Sequence, residues 1–229
     1  MQEPRRRGTN GVHAMGRPTN PLLSREAIAL TALDLAAEEG PDALTMRALA
    51  ARMGVRGPSL YNHISSKDDL LDAMTAQISR EMDHSGLESD DWRSGLAAYA
   101  RSYRQVFLRH HGILPVVARR PVQTPEALAG YDALARALVR WGLPDAETAE
   151  VSAAFDYLVL GSVLETYTAG FIRTPDGYRP EYPGLADSLE AADAAAPDGL
   201  AGLDERGFER GLRLLLDGLA VRLGPTPSA

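Results

Sequence analysis

The sequence predicts an all-α chain, and three observations predict it. Apolar residues recur at i, i+3 and i+4 along most segments between Ser24 and Leu223, the period of one helix face. Start and stop signals punctuate that pattern: Ser, Thr or Asp ahead of a periodic run, Pro in a first turn, Gly at an end. Between Thr45 and Lys67, TMRALAARMGVRGPSLYNHISSK, two short helices meet at a tight turn, the outline of a helix-turn-helix pair.

Taken in order, Ser24 caps a first helix that runs to about Glu39, with Ile28, Ala32 and Leu35 as its inner stripe and Gly40-Pro41 as its end. Thr45 is the next cap, its hydroxyl placed to accept from a free first-turn amide. Leu49 and Met53 share a face, Gly54 stops the helix, and Val55 plugs the turn. Pro58 suits the first position of the second short helix, where its missing N–H costs nothing. Leu60 and Ile64 point inward, which leaves Ser59, Tyr61, Asn62 and His63 outward on about two turns of helix. So short a helix is not stable alone. A polar outer face clamped by an apolar pair is the arrangement of a helix that reads DNA.

After Ser66 the next helix opens on Lys67-Asp68-Asp69, whose aspartates suit the positive helix start, and continues to about Asp83 with Leu70, Leu71, Met74 and Ile78 inward. Asp90 or Asp91 caps a helix to about His110, and Thr124-Pro125 opens another to Trp141. Gly142-Leu143-Pro144 breaks the chain. From Asp145 no breaker appears until Pro175, and the run DAETAEVSAAFDYLVLGSVLETYTAGF is about 40 Å long at about 1.5 Å per residue. Phe155, Leu158, Leu160, Val163 and Leu164 make it apolar on more than one side, so it needs two partners: its own domain and a second subunit. Residues 173–203 read as a long loop with a short helix at Leu185–Ala192. The last helix spans Asp204–Leu223 on a stripe of Phe208, Leu212, Leu215, Leu216 and Leu219.

Composition bounds the function. The 229 residues hold no cysteine, which removes disulfides, thiolate metal sites and thiol catalysis. No apolar run reaches the roughly 18 residues of a membrane span, and the N-terminus has arginines without an apolar core, so a cytoplasmic location is expected. The net charge of −7 hides an asymmetry: residues 1–67 hold 9 basic and 6 acidic groups (+3), and residues 68–229 the remaining 15 and 25 (−10). A weakly basic end on an acidic body points to nucleic acid at that end and to end-on docking. Residues 1–21 read as a disordered basic tail in which Arg5, Arg6 and Arg7 either reach a minor groove or are simply solvated. His110 and His111 are adjacent and point in different directions, and HExxH, phosphate-loop and G-x-S-x-G motifs are absent, so neither metal site, cofactor nor catalytic centre is expected.

The phrases LTMRALAARMGV and PSLYNHISSKDDLL make the stretch from about Ser24 to Leu71 resemble the DNA-binding domain of the TetR family of bacterial repressors. LGSVLE and FERGLRLLLDGL resemble that family's tetracycline-repressor branch. The resemblance implies a head at 22–68, a ligand-binding and dimerisation body at 69–229, and a four-helix dimer seam from two late helices of each subunit. It also implies that Thr45 contacts phosphate and Arg47 a base edge, where arginine forks onto guanine O6 and N7. Ser59 and Asn62 lie on the implied reading face, and Tyr61, His63 and Lys67 hold phosphates. Each has a plainer alternative: a solvated Arg47, a turn-capping His63, a Tyr61 packed on the first helix. Gly57, just before Pro58, stands where the branch carries a base-reading glutamine, and Asn62 where it carries an aromatic, so the operator differs.

In the body, Val116 falls where the branch has the histidine, and Glu165 where it has the glutamate, that bring in magnesium-chelated tetracycline; its other polar drug contacts fall at Tyr99, Asp83 and Leu134. Loss of the imidazole argues against that chelate. Tyr99, Tyr103, Phe107, Leu134, Leu138 and Phe155 suggest an aromatic-walled pocket instead, or, residue by residue, ordinary core. Arg120, Asp156 and Glu165 complete the candidate ligand set. The expectation is a homodimeric repressor on a palindromic double-stranded operator, with half-sites about 34–36 Å apart, released by a small aromatic effector. A co-repressor role for the ligand, or a helical carrier or enzyme with a vestigial head, are the alternatives.

Overall fold

The computed structural model describes residues 23–165 and 168–224, and among these every regular element is helical. The arginine tail of residues 1–21, Thr166 and Tyr167 lie outside the described residues.

Three helices and the start of a fourth form the head: α1 (Arg25–Glu39), α2 (Met46–Met53), α3 (Gly57–Tyr61) and α4 (Lys67–Arg80). The caps fall where the side chains demanded. Ser24 Oγ accepts from Ala27 N at 3.0 Å, Thr45 Oγ1 from Ala48 N at 3.1 Å, and Ser66 Oγ from Asp69 N at 3.1 Å. Gly54 ends α2 at φ +66°, a left-handed turn that costs an L-residue about 1–2 kcal/mol. Beneath the turn, Leu49, Leu60 and Ile64 are fully buried against Ile28, Ala32 and Leu35 of α1. At about 25 cal/mol per Å² of apolar surface removed from water, this wedge holds a five-residue α3 in place.

The body comprises α5 (Trp92–Arg109), α6 (Leu114–Val117), α7 (Pro125–Arg140), α8 (Asp145–Leu164), α9 (Pro175–Tyr178), α10 (Pro183–Ala194) and α11 (Leu203–Leu223). Helices α5, α7, α8 and α11 pack around one core continuous with that of the head. Arg104 ties three of them together. It is buried on α5, donates to Ser162 Oγ of α8 at 3.1 Å, and lies 4.6 Å from the ring of Phe208 on α11. Helix α4 runs unbroken across the expected boundary at residue 68, so head and body share a rigid element. A second joint lies at Gly112, where a Cβ would come within 2.8 Å of the Ala36 carbonyl oxygen; only glycine lets the turn after α5 seat on α1.

Two expectations are corrected, and one short helix was not foreseen. The run from Asp145 does not stay helical: α8 ends at Leu164, and Glu165 is extended at φ −121°, ψ 125°. Its last turns have β-branched and glycine residues of poor helix propensity, and Leu164 faces solvent, so packing does not override that weakness. Residues 173–203 are not a long loop, since α9, α10 and a 3₁₀ turn at Gly199–Gly202 fill them. Pro183 starts α10, and Ala186 and Leu189 bury its inner face. The four-residue α6 lies in a stretch too short to show a period.

Candidate DNA interface and ligand cavity

The outer surface of the head sorts its cations into two kinds. Arg25 on α1 pairs with Asp69 of α4 at 2.5 Å, and Arg52 on α2 pairs with Glu38 of α1 at 2.6 Å, so both are spent on holding helices together. Arg47, Arg56 and Lys67 are exposed, and none has a carboxylate within ion-pair reach among the described residues. Arg56, the residue before α3, carried no sequence motif and was not anticipated. Thr45, Pro58, Tyr61, Asn62 and His63 are exposed, while Gly57 and Ser59 are half-buried. Tyr61 keeps 54 % of its surface open to solvent. With α2 and α4 presenting their N-terminal amides beside Thr45 and Lys67, the face offers free donors, helix starts and unpaired cations together, which suits phosphate oxygens.

Below the head, α4, α5, α7 and α8 surround a cavity of about 110 Å³ that opens to solvent. Its aromatic wall follows α5 at i, i+4, i+8. Tyr99 and Tyr103 lie 6.0 Å apart, Tyr103 and Phe107 5.1 Å, and the His84 ring is 5.5 Å from Tyr99. Leu134, Arg120 and Asp156 line it as well. Four expected residues lie elsewhere. Phe155 stacks behind Tyr99 at 5.6 Å, Leu138 is fully buried core, and Val116 packs on the core while its neighbour Val117 turns to the cavity. Glu165 is exposed and borders a shallower groove between α8 and α11 with Tyr157 and Phe208.

The polar groups of the cavity are unevenly satisfied. The Arg120 guanidinium donates to Asp68 Oδ1 at 2.7 Å and Asp72 Oδ1 at 2.9 Å, both on α4, and these carboxylates push its pKa up. Glu126 is paired with Arg80. Asp156 accepts from the Tyr131 hydroxyl at 2.5 Å, and the Tyr103 phenol also favours its charged form. Burial raises the Asp156 carboxyl above its ordinary value, against the opposing pull of the two phenols. The phenols of Tyr99, Tyr103 and Tyr131 are themselves pushed up by burial first and by the Asp156 charge, so they stay donors. Two buried polar atoms, His84 Nε2 and Arg120 Nε, have no hydrogen-bond partner. Sequence reasoning missed His84 and Tyr131. Tyr131 is three residues before Leu134 and on its face, a signal that was available; His84 sits between elements, where no period applies.

A helix-turn-helix head carrying free cations, joined by one rigid helix to a body with a partly unsatisfied cavity, defines a ligand-responsive DNA-binding regulator. Comparison with known proteins agrees. Residues 28–74 match the bacterial regulatory proteins of the tetR family, and residues 86–223 match the tetracyclin repressor-like C-terminal domain. The chain is 34% identical over 206 residues to the tetracycline repressor protein class A from transposon 1721 of Escherichia coli, covering 87% of this chain and 92% of that one. Apo ActR of Streptomyces coelicolor superposes with a TM-score of 0.71 at 26% identity, over 88% of this chain and 97% of that one. The same protein in complex with actinorhodin gives a TM-score of 0.71 at 27% identity, with the same coverage of both chains. The chain therefore belongs to the TetR family of bacterial transcriptional regulators.

Proposed function

We propose that this regulator is a cytoplasmic, homodimeric repressor without enzymatic activity, induced by a small aromatic molecule that fills the cavity. The observation that carries this reading is Arg120. It lines the cavity and at the same time grips Asp68 and Asp72 of α4, the helix that carries the head. A ligand that binds better when Arg120 has shifted draws α4 with it, and its differential affinity moves the population off DNA. Thr45, Arg47, Arg56, Tyr61, His63 and Lys67 hold the operator, with Gly57, Pro58, Ser59 and Asn62 facing the bases. The functional division falls at 22–68 and 69–229, with α4 as the lever between them.

A second copy covers α8 and α11. Tyr157, Leu164, Leu214 and Val221 are 76, 48, 65 and 85 % exposed there, an apolar surface a monomer rarely leaves to water. The effector resembles an aromatic polycycle more than a magnesium–tetracycline chelate. Neither Val116 nor Val117 offers an imidazole, and Glu165 lies outside the cavity of its own chain. Selection of duplexes from a random pool tests the reading. It should return a palindrome, and aromatic polycycles should release it at micromolar concentration where magnesium–tetracycline does not. A non-palindromic consensus, or release by the chelate alone, would refute it.

A further inference from the structure

Resting on the cavity assigned above, we infer that the effector carries a protonated amine, and that Asp156 is its anchor. The argument is one of charge balance inside the cavity. Three charged residues line it. Arg120 is matched by Asp68 and Asp72, and Glu126 by Arg80. Asp156 faces only phenols, and no Lys, Arg or His lies within ion-pair distance of it among the described residues. A carboxylate has about four lone-pair sites; the Tyr131 hydroxyl occupies one.

The rest of the cavity wall fits the same ligand. Tyr99, Tyr103 and Phe107 present a run of ring surfaces next to the carboxylate. Ring faces attract cations, and the attraction grows where water is excluded. Even a half-buried carboxylate without a cation carries a desolvation cost, which a counter-ion in the cavity would offset. Burial of that carboxyl raises its pKa, the direction expected of a negative charge waiting for its counter-ion. The unpartnered His84 Nε2 stands beside Tyr99, a second polar point for a hydroxyl or carbonyl of the same molecule. The fit is thus an aromatic polycycle with an ammonium group at the α7–α8 side.

The test uses two fluorescent probes of one shape, anthracen-9-ylmethylamine and anthracen-9-ylmethanol, titrated into the full-length dimer at neutral pH. Wild type should bind the amine at least tenfold more tightly than the alcohol. Asp156→Asn should remove that preference while leaving alcohol affinity within about twofold, and Tyr131→Phe, which keeps the carboxylate, should preserve it. The wild-type ratio stands as a test even if Asp156→Asn fails to fold. Leu134→Trp, which fills the cavity, should weaken both probes. Equal binding of the two probes by wild type, or a preference that survives in Asp156→Asn, overturns the amine assignment and leaves the cavity standing. Binding of neither probe, or binding that Leu134→Trp leaves unchanged, overturns the cavity reading with it.

Discussion

The head and the body solve opposite problems with charge. In the head, arginines are either locked to a neighbouring helix, as Arg25 is to Asp69, or left free in water, as Arg47 and Lys67 are. Free surface cations cost little, because water solvates them until phosphate replaces it. In the body, charges are brought inside, where each needs a partner; Arg120 and Glu126 have theirs, and Asp156 does not. The partner missing from the head is DNA and the partner missing from the body is a small molecule. Each absence can be read from which groups the fold leaves unmatched.

The comparison can be broken first through packing. Leu60→Ala empties a fully buried site under α3 and should cost about 2–5 kcal/mol, abolishing operator binding. Leu134→Ala merely enlarges an existing cavity, so its cost should fall at the low end of the same range and operator binding should persist. Thermal melts with gel-shift titrations separate the two; equal loss of binding in both would show that head and body are not distinct in function.

Arg47→Ala comes next. It should weaken specific binding by about 1–3 kcal/mol and relax one operator position. Equal weakening on every sequence would make Arg47 a phosphate contact only. Asp69→Asn tests the locked class. Arg25 first, and then the Ser65 groups, hold the Asp69 carboxyl down at about 2 against an ordinary 3.8. Its contribution is therefore complete above about pH 4 and is lost as pH falls through about 2. After discounting for solvent screening, the substitution should cost about 1 kcal/mol at pH 7 and vanish near pH 2 in chemical denaturation. Lys67→Ala should have the smallest effect: stability unchanged, and a log–log salt slope flatter by about 0.9 for each phosphate that the lysine had neutralised. An unchanged slope would remove Lys67 from the interface.

The head was almost wholly legible in the sequence, because its signals are local. Ser24, Thr45 and Ser66 cap the helices they announce, Gly54 takes the left-handed turn, and Leu60 and Ile64 are buried as their spacing required. The body was legible in its helices but only partly in its cavity. Tyr99, Tyr103 and Phe107 share a stripe that periodicity reveals. Whether an inward residue meets the cavity or the core behind it depends on which helix stands opposite. Phe155 and Leu138 are inward and miss the cavity; Tyr131 is partly exposed and reaches it. Glu165 lies outside the cavity because α8 ends at Leu164, where weak local helix propensity meets an exposed side chain and no packing makes up for it.

The central claim is that filling the cavity releases DNA. It is tested most directly by following the anisotropy of a labelled operator duplex while an aromatic polycycle is titrated into wild type and Leu134→Trp. The account predicts that both proteins hold the operator when no ligand is present, that wild type lets go as the cavity fills, and that Leu134→Trp needs at least tenfold more compound. Release at the same concentration from both, or saturation of the wild-type cavity with the operator still bound, would contradict it.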